Sequence, residues 1–135
     1  MINDVTTDLV DPPRFTLTGK GPADFDKDNI PEHTRKHGDL SPLRTDMPPA
    51  NAFTAALDAA RKEGWTVHET HPDGGVFEAV AITKWLRFRD DIVVRVRADG
   101  TGSRIDVRSK SRIGRDDFGA NAKRIAHYLD AIPVT

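Results

Sequence analysis

The chain has 135 residues, no cysteine, 20 Lys/Arg against 21 Asp/Glu and a formal net charge of −1. That length fits one domain that buries a core unaided, and the missing cysteines exclude a disulfide framework, a zinc–thiolate site and a cysteine nucleophile. The charge balance argues against a nucleic-acid binder, and no apolar run approaches the roughly 18 residues of a membrane span.

Residues 1–47 read as an extended, Pro-rich arm on a 48–135 body. Pro12-Pro13, Pro22, Pro31, Pro42 and Pro48-Pro49 recur too often for long helices or central strands. Single apolar residues (Val10, Phe15, Leu17, Phe25, Ile30, Leu40 and Leu43) are its anchors. His33 and His37 share one side of a helical turn, but no third ligand completes a metal site, so a solvated polar turn is expected.

Pro48–Asn51 opens the first helix. Phe53, Ala56, Leu57 and Ala60 give its apolar face, and Gly64 ends it. Four strands follow. Thr66–His71 carries His68 and His71 on opposite faces. Val76–Phe88, with Trp85, is apolar on both parities and reads as one bulged strand or two pieces bent near Thr83-Lys84. Asp90-Asp91 is expected as a tight turn. Ile92–Ala98 and Ser103–Ser111 alternate, with Ile92, Val94, Val96, Ile105 and Val107 inward; short connections make the neighbours antiparallel. A last helix over about Asp116–Ile132 presents Phe118, Ala122, Ile125, Leu129 and Ile132 to the core. The expected fold class is α+β: helix, antiparallel meander of four or five strands, C-terminal helix, in a helix-grip-like arrangement.

Charge is unevenly distributed. Residues 84–115 hold ten Lys/Arg and four Asp/Glu (+6), residues 1–47 six and nine (−3). Alternation places Arg95, Arg97, Arg104 and Arg108 on the outer sheet face, a basic surface suited to anionic lipid or an acidic protein, or a face for the acidic arm to cover. The second constellation is Arg112, Asp117, Asn121 and Arg124, with Arg115 and Tyr128 beside them. It reads as a phosphate or carboxylate site, or as a latch that caps the last helix and clamps it to the strand. Arg112 and Arg124 are the expected partners of Asp117, and Gly119 is expected where helix and strand approach closely. As a catalytic set it lacks a histidine or second carboxylate.

The run Arg108-Ser109-x-Ser111-Arg112-x-Gly114-x-x-Asp117-x-Gly119-x-Asn121-x-x-Arg124-Ile125 resembles the signature of the domain-of-unknown-function family numbered 1499. Phe88-Arg89-Asp90-Asp91 and Gly38-Asp39-Leu40-x-Pro42-Leu43 resemble its strand–turn and arm elements. The resemblance implies no established activity, no cofactor and no metal. It also implies relatives with membrane segments or export signals ahead of the domain. The expected function is therefore a non-enzymatic, envelope-associated domain that binds a protein or an anionic lipid surface and no nucleic acid. Its alternatives are a carrier of a small apolar or amphipathic ligand in a sheet–helix cavity, and a hydrolase-like enzyme using Asp117. Met1-Ile2-Asn3-Asp4 shows no signal-peptide pattern. Extracytoplasmic tethering is expected if the sequence is a trimmed piece, a cytoplasmic location otherwise.

Overall fold

A computed structural model describes residues 2–19, 22–84, 86–114 and 116–135. Trp85 and Arg115 lie outside the described residues. The elements are β1 (Asp4–Thr6), α1 (Ile30–His37), β2 (Leu43–Thr45), α2 (Pro49–Lys62), β3 (Thr66–His71), β4 (Val76–Ile82), β5 (Arg89–Asp99), β6 (Gly102–Ser111) and α3 (Ala120–Asp130). The fold is α+β, with one antiparallel sheet in the order β1-β6-β5-β4-β3 and β2 pairing with β6 beyond β1. The sheet has six strands rather than four or five, because the arm supplies β1 and β2. Each is three residues long, too short to show an alternation in sequence.

Alternation sets the two faces of the sheet. Phe77, Ala79, Ala81, Ile92, Val94, Val96, Ile105 and Val107 point inward and are buried under α2 and α3. Phe53 meets Phe77 edge-on at 5.9 Å. Tyr128, placed by helical spacing on the polar rim of α3, is fully buried. It lies 4.5 Å from the Trp65 ring, and its hydroxyl donates to Ala56 O at 2.8 Å. These rings lie in the layer between sheet and helices, the place where the carrier alternative expects a cavity.

The other face is covered by the N-terminal segment. Phe15 and Phe25 are buried there, whereas Leu40 and Leu43 pack partly buried on the core between sheet and helices, and Val10 is 97% exposed. His33 is buried rather than solvated. Its Nε2 accepts the Thr6 amide at 3.1 Å, and its ring meets Phe25 and His37 edge-on.

Two boundaries differ from the pattern reading. Asp90 and Asp91 belong to β5, paired with Ser111 and Lys110; the reversal falls earlier, over residues 83–88. There the Thr83 hydroxyl accepts the Phe88 amide at 2.8 Å, and Arg87 takes a left-handed φ of 57°. The last helix begins at Ala120, because Phe118 (φ 51°) and Gly119 (φ 83°) form a left-handed pair just before it. Phe118 is consequently 83% exposed instead of heading the apolar stripe. The Gly119 position is open, so its glycine serves the positive φ and not a close approach to the strand.

Candidate functional site

The inward parity of β5 and β6 continues past the apolar residues into Asp90, Ser109 and Ser111. A polar cluster therefore forms at the end of the interlayer, beneath the start of α3. Asn121, fully buried, is its hub. Its Oδ1 accepts from Ser109 Oγ at 2.6 Å and Arg124 Nη1 at 2.8 Å. Its Nδ2 donates to Asp117 Oδ2 at 2.8 Å and Ser111 Oγ at 3.0 Å. Arg124 reaches on to Asp90 at 2.8 Å. Burial pushes the Asp90 carboxyl above the usual aspartate range, against the pull of Arg124 and Ser111.

Asp117 serves the turn. Its Oδ1 accepts the Gly119 amide at 2.8 Å and its Oδ2 the Asn121 amide at 3.2 Å, so the carboxylate meets the first free amides of α3. Its own amide donates to Ile2 O at 3.1 Å, which ties the turn to the start of β1. Neither expected arginine pairs with it. Arg112 lies on the opposite face of β6 and forks onto Asp91, with contacts of 2.9–3.2 Å. Asp117, Asn121 and Arg124 thus form one cluster and Arg112 stands outside it. Asp90, Ser109 and Ser111 complete the cluster; the turn-like composition of Asp90-Asp91 hides the first, while the two serines continue the inward parity of Ile105 and Val107. His68 and His71 sit on β3, three strands from β6 and so about 14 Å across the sheet from the cluster, so they bring no histidine to Asp117.

The predicted basic surface is largely neutralised by the arm. Asp8 Oδ2 contacts Arg95 at 3.1 Å, Arg97 at 3.4 Å and Arg104 at 3.1 Å; Asp106 takes Arg104 Nε at 2.7 Å, and Asp11 adds a third carboxylate. Burial opposes the Asp8 charge, but the Asp11 and Val10 amides, with Arg104 and Arg95, hold its carboxyl below the usual range. Arg108 is not a surface residue at all. It is 0% exposed and donates to both Asp4 oxygens and to Pro13 O, Ala23 O and Asp24 O, with Phe15 and Phe25 against its guanidinium. Strand parity gives the face of these four arginines and is silent on what covers them.

Lys84, Arg87 and Arg89 are exposed around the β4–β5 reversal and have no ion-pair partner among the described residues. Other exposed cations also have no ion-pair partner among the described residues, Lys27, Arg35, Arg61, Lys62 and Lys123 among them. Among the described residues no cluster of three or more metal-ligating side chains occurs, and no helix is long and apolar enough to cross a membrane.

Several solved structures are similar at 13% identity. Ara h 8.0201 is matched over 67% of this chain and 90% of its own (TM-score 0.37). TTHA0849 from Thermus thermophilus is matched over 67% and 84% (TM-score 0.35), and CalU16 from Micromonospora echinospora over 66% and 71% (TM-score 0.38). Among curated proteins no match is found. A family profile described as "Protein of unknown function (DUF1499)" matches residues 4–132, a span holding every residue of the buried cluster, and the chain belongs to that family.

Proposed function

We propose that the domain acts by docking and not by catalysis, in the envelope-associated class that the sequence suggests. The end of the sheet carrying the β4–β5 reversal and the β6–α3 turn faces an anionic surface. One observation carries this reading: Lys84, Arg87 and Arg89 are exposed together at that end with no ion-pair partner among the described residues, while Arg95, Arg97, Arg104 and Arg108 are occupied by the chain's own acids and carbonyls. The buried cluster supports the non-catalytic half. Asp117 is taken up by helix amides and Asn121, Asp90 by Arg124, and both serines by Asn121. That leaves no free base beside a nucleophile. Its role in this reading is a latch that holds the two loops in place.

The test is retention on an immobilised polyanion. The net charge is −1, so retention at low salt reports a local patch. The Lys84→Gln/Arg87→Asn/Arg89→Gln variant should elute early, and Arg97→Gln should elute with the wild type. The reverse order would restore the sheet face as the docking surface; no retention would end the reading.

A second reading, a small-ligand carrier, has one observation in its favour. A cleft of about 410 Å³ lies between the arm and the outer sheet face, lined by Pro12, Pro13, Leu17, Val76, Val93 and Arg95. It is on the opposite side of the sheet from the cavity expected between sheet and helices.

A further inference from the structure

We propose that the anionic surface is a lipid bilayer, and that the loop end of the sheet enters it with Phe118, Leu86, Ile113 and Ile82. This rests on the docking reading and adds its partner. Phe118 is 83% exposed, Leu86 66%, Ile113 43% and Ile82 39%. The register places their loops at one end. Ile82 pairs with Arg89, the Arg112 amide donates to Arg89 O at 3.2 Å, and Asn3 Nδ2 donates to Ile113 O at 3.1 Å. The Asp117 amide on Ile2 O brings the residue before Phe118 to the same edge. Strand spacing makes this edge about 15 Å wide from β4 to β1.

The loops hold these side chains out by defined contacts. Asp116 Oδ1 accepts the Phe118 amide at 2.9 Å, and Thr83 O accepts the Arg87 amide at 3.0 Å. Both Phe118 and Arg87 keep left-handed backbones that L side chains disfavour, and neither gains burial by it. A large apolar side chain held in strain and in water is accounted for by a partner that covers it.

The pattern selects a bilayer over the other partners. The apolar side chains are on separate loops with cations between them, so they do not form the continuous apolar patch of a protein interface. A nucleic acid would use the cations but leave Leu86, Ile113 and Ile82 in water. A bilayer surface takes both: phosphates and carboxylates of anionic headgroups meet Lys84, Arg87 and Arg89, while isolated apolar side chains pass between them. The acids at this end do not oppose it strongly. Asp90, Asp91 and Asp117 are engaged as described, and Asp116 lies 3.7 Å from Lys36 Nζ.

Vesicle co-sedimentation tests the proposal, alongside the polyanion matrix. Vesicles of phosphatidylcholine with about 30% phosphatidylserine should retain the wild type, and pure phosphatidylcholine should not. Phe118→Asn/Leu86→Ser should weaken vesicle binding by about a hundredfold, about tenfold per side chain, with elution from the polyanion unchanged. Melting curves confirm that this variant is folded. Vesicle binding equal to the wild type in that variant would overturn insertion and leave docking by charge. Retention by the polyanion without vesicle binding would overturn the bilayer and point to a protein or polyanion partner. Equal binding to neutral vesicles would overturn the headgroup part, and binding to neither matrix nor vesicle would remove the docking reading as well.

Discussion

Asn121→Ala tests whether the buried cluster is a latch. Asn121 makes four contacts of 2.6–3.0 Å, two of them to the charged partners Asp117 and Arg124. A hydrogen bond to a charged group contributes about 1.5–3 kcal/mol and a neutral one about 1 kcal/mol. These contacts share one side chain and the stranded partners re-pair in part, so they do not add. The expected loss is about 3 kcal/mol, the top of the range of about 1–3 kcal/mol for leaving buried polar groups without partners, because two of the partners are charged. In urea, with a slope of about 1.5 kcal/mol/M for a domain of this size, the midpoint falls by about 2 M. Urea unfolding followed by far-ultraviolet circular dichroism measures it. Asn121→Asp should be worse despite equal size, since it sets a third carboxylate beside Asp117 and Asp90. If Asn121→Ala unfolds within about 0.5 kcal/mol of the wild type, the spread expected of an ordinary surface change, the latch account is wrong.

Further outcomes follow from the same contacts. Asp90 has a folded-state pKa above its ordinary 3.8, so the stability it lends is complete below that value and is lost as pH rises through the folded one. Arg124→Ala strips its counter-charge and should cost about 3–5 kcal/mol at neutral pH; unfolding at pH 4 should show a smaller deficit, and an unchanged one would contradict the pairing. His33 has the opposite sign, because burial lowers its pKa from 6.5. The unfolded chain protonates first, so stability falls as pH drops below 6.5 towards the folded value. Melting temperatures of His33→Gln should show a shallower decline over that window. Phe118→Asn removes a left-handed phenylalanine that costs about 1–2 kcal/mol and, at 83% exposure, little burial. Its melting temperature should rise by about 2–4 °C; a fall would mean that Phe118 contributes packing.

The sequence made the body legible wherever one face of an element meets water and the other the core. The α2 stripe and the alternation of β5 and β6 identified both helices' partners and the antiparallel meander. Failures came where a contact distant in sequence decided the outcome. Asp90-Asp91 has turn composition, yet Arg124 and Arg112, some thirty and twenty residues on, hold both aspartates in a strand. Arg108 alternates as an outward residue, but five acceptors from Asp4, Pro13, Ala23 and Asp24 enclose it. Phe118 fits the apolar stripe by spacing, and the turn built by Asp116 and Asp117 moved the helix start past it. Ser109 and Ser111 were readable in principle: they continue the inward parity of Ile105 and Val107 toward Asn121.

The central claim, docking through the loop end of the sheet, is tested most directly by amide hydrogen exchange of the full chain with and without vesicles containing phosphatidylserine. Local opening sets exchange at loop amides, so a covered loop slows while a remote one does not. The account predicts slowed exchange confined to residues 83–88 and 112–119, with residues 8–18 and 95–108 unchanged. Slowing over residues 95–108, or over the arm, with the loops unaffected would contradict it.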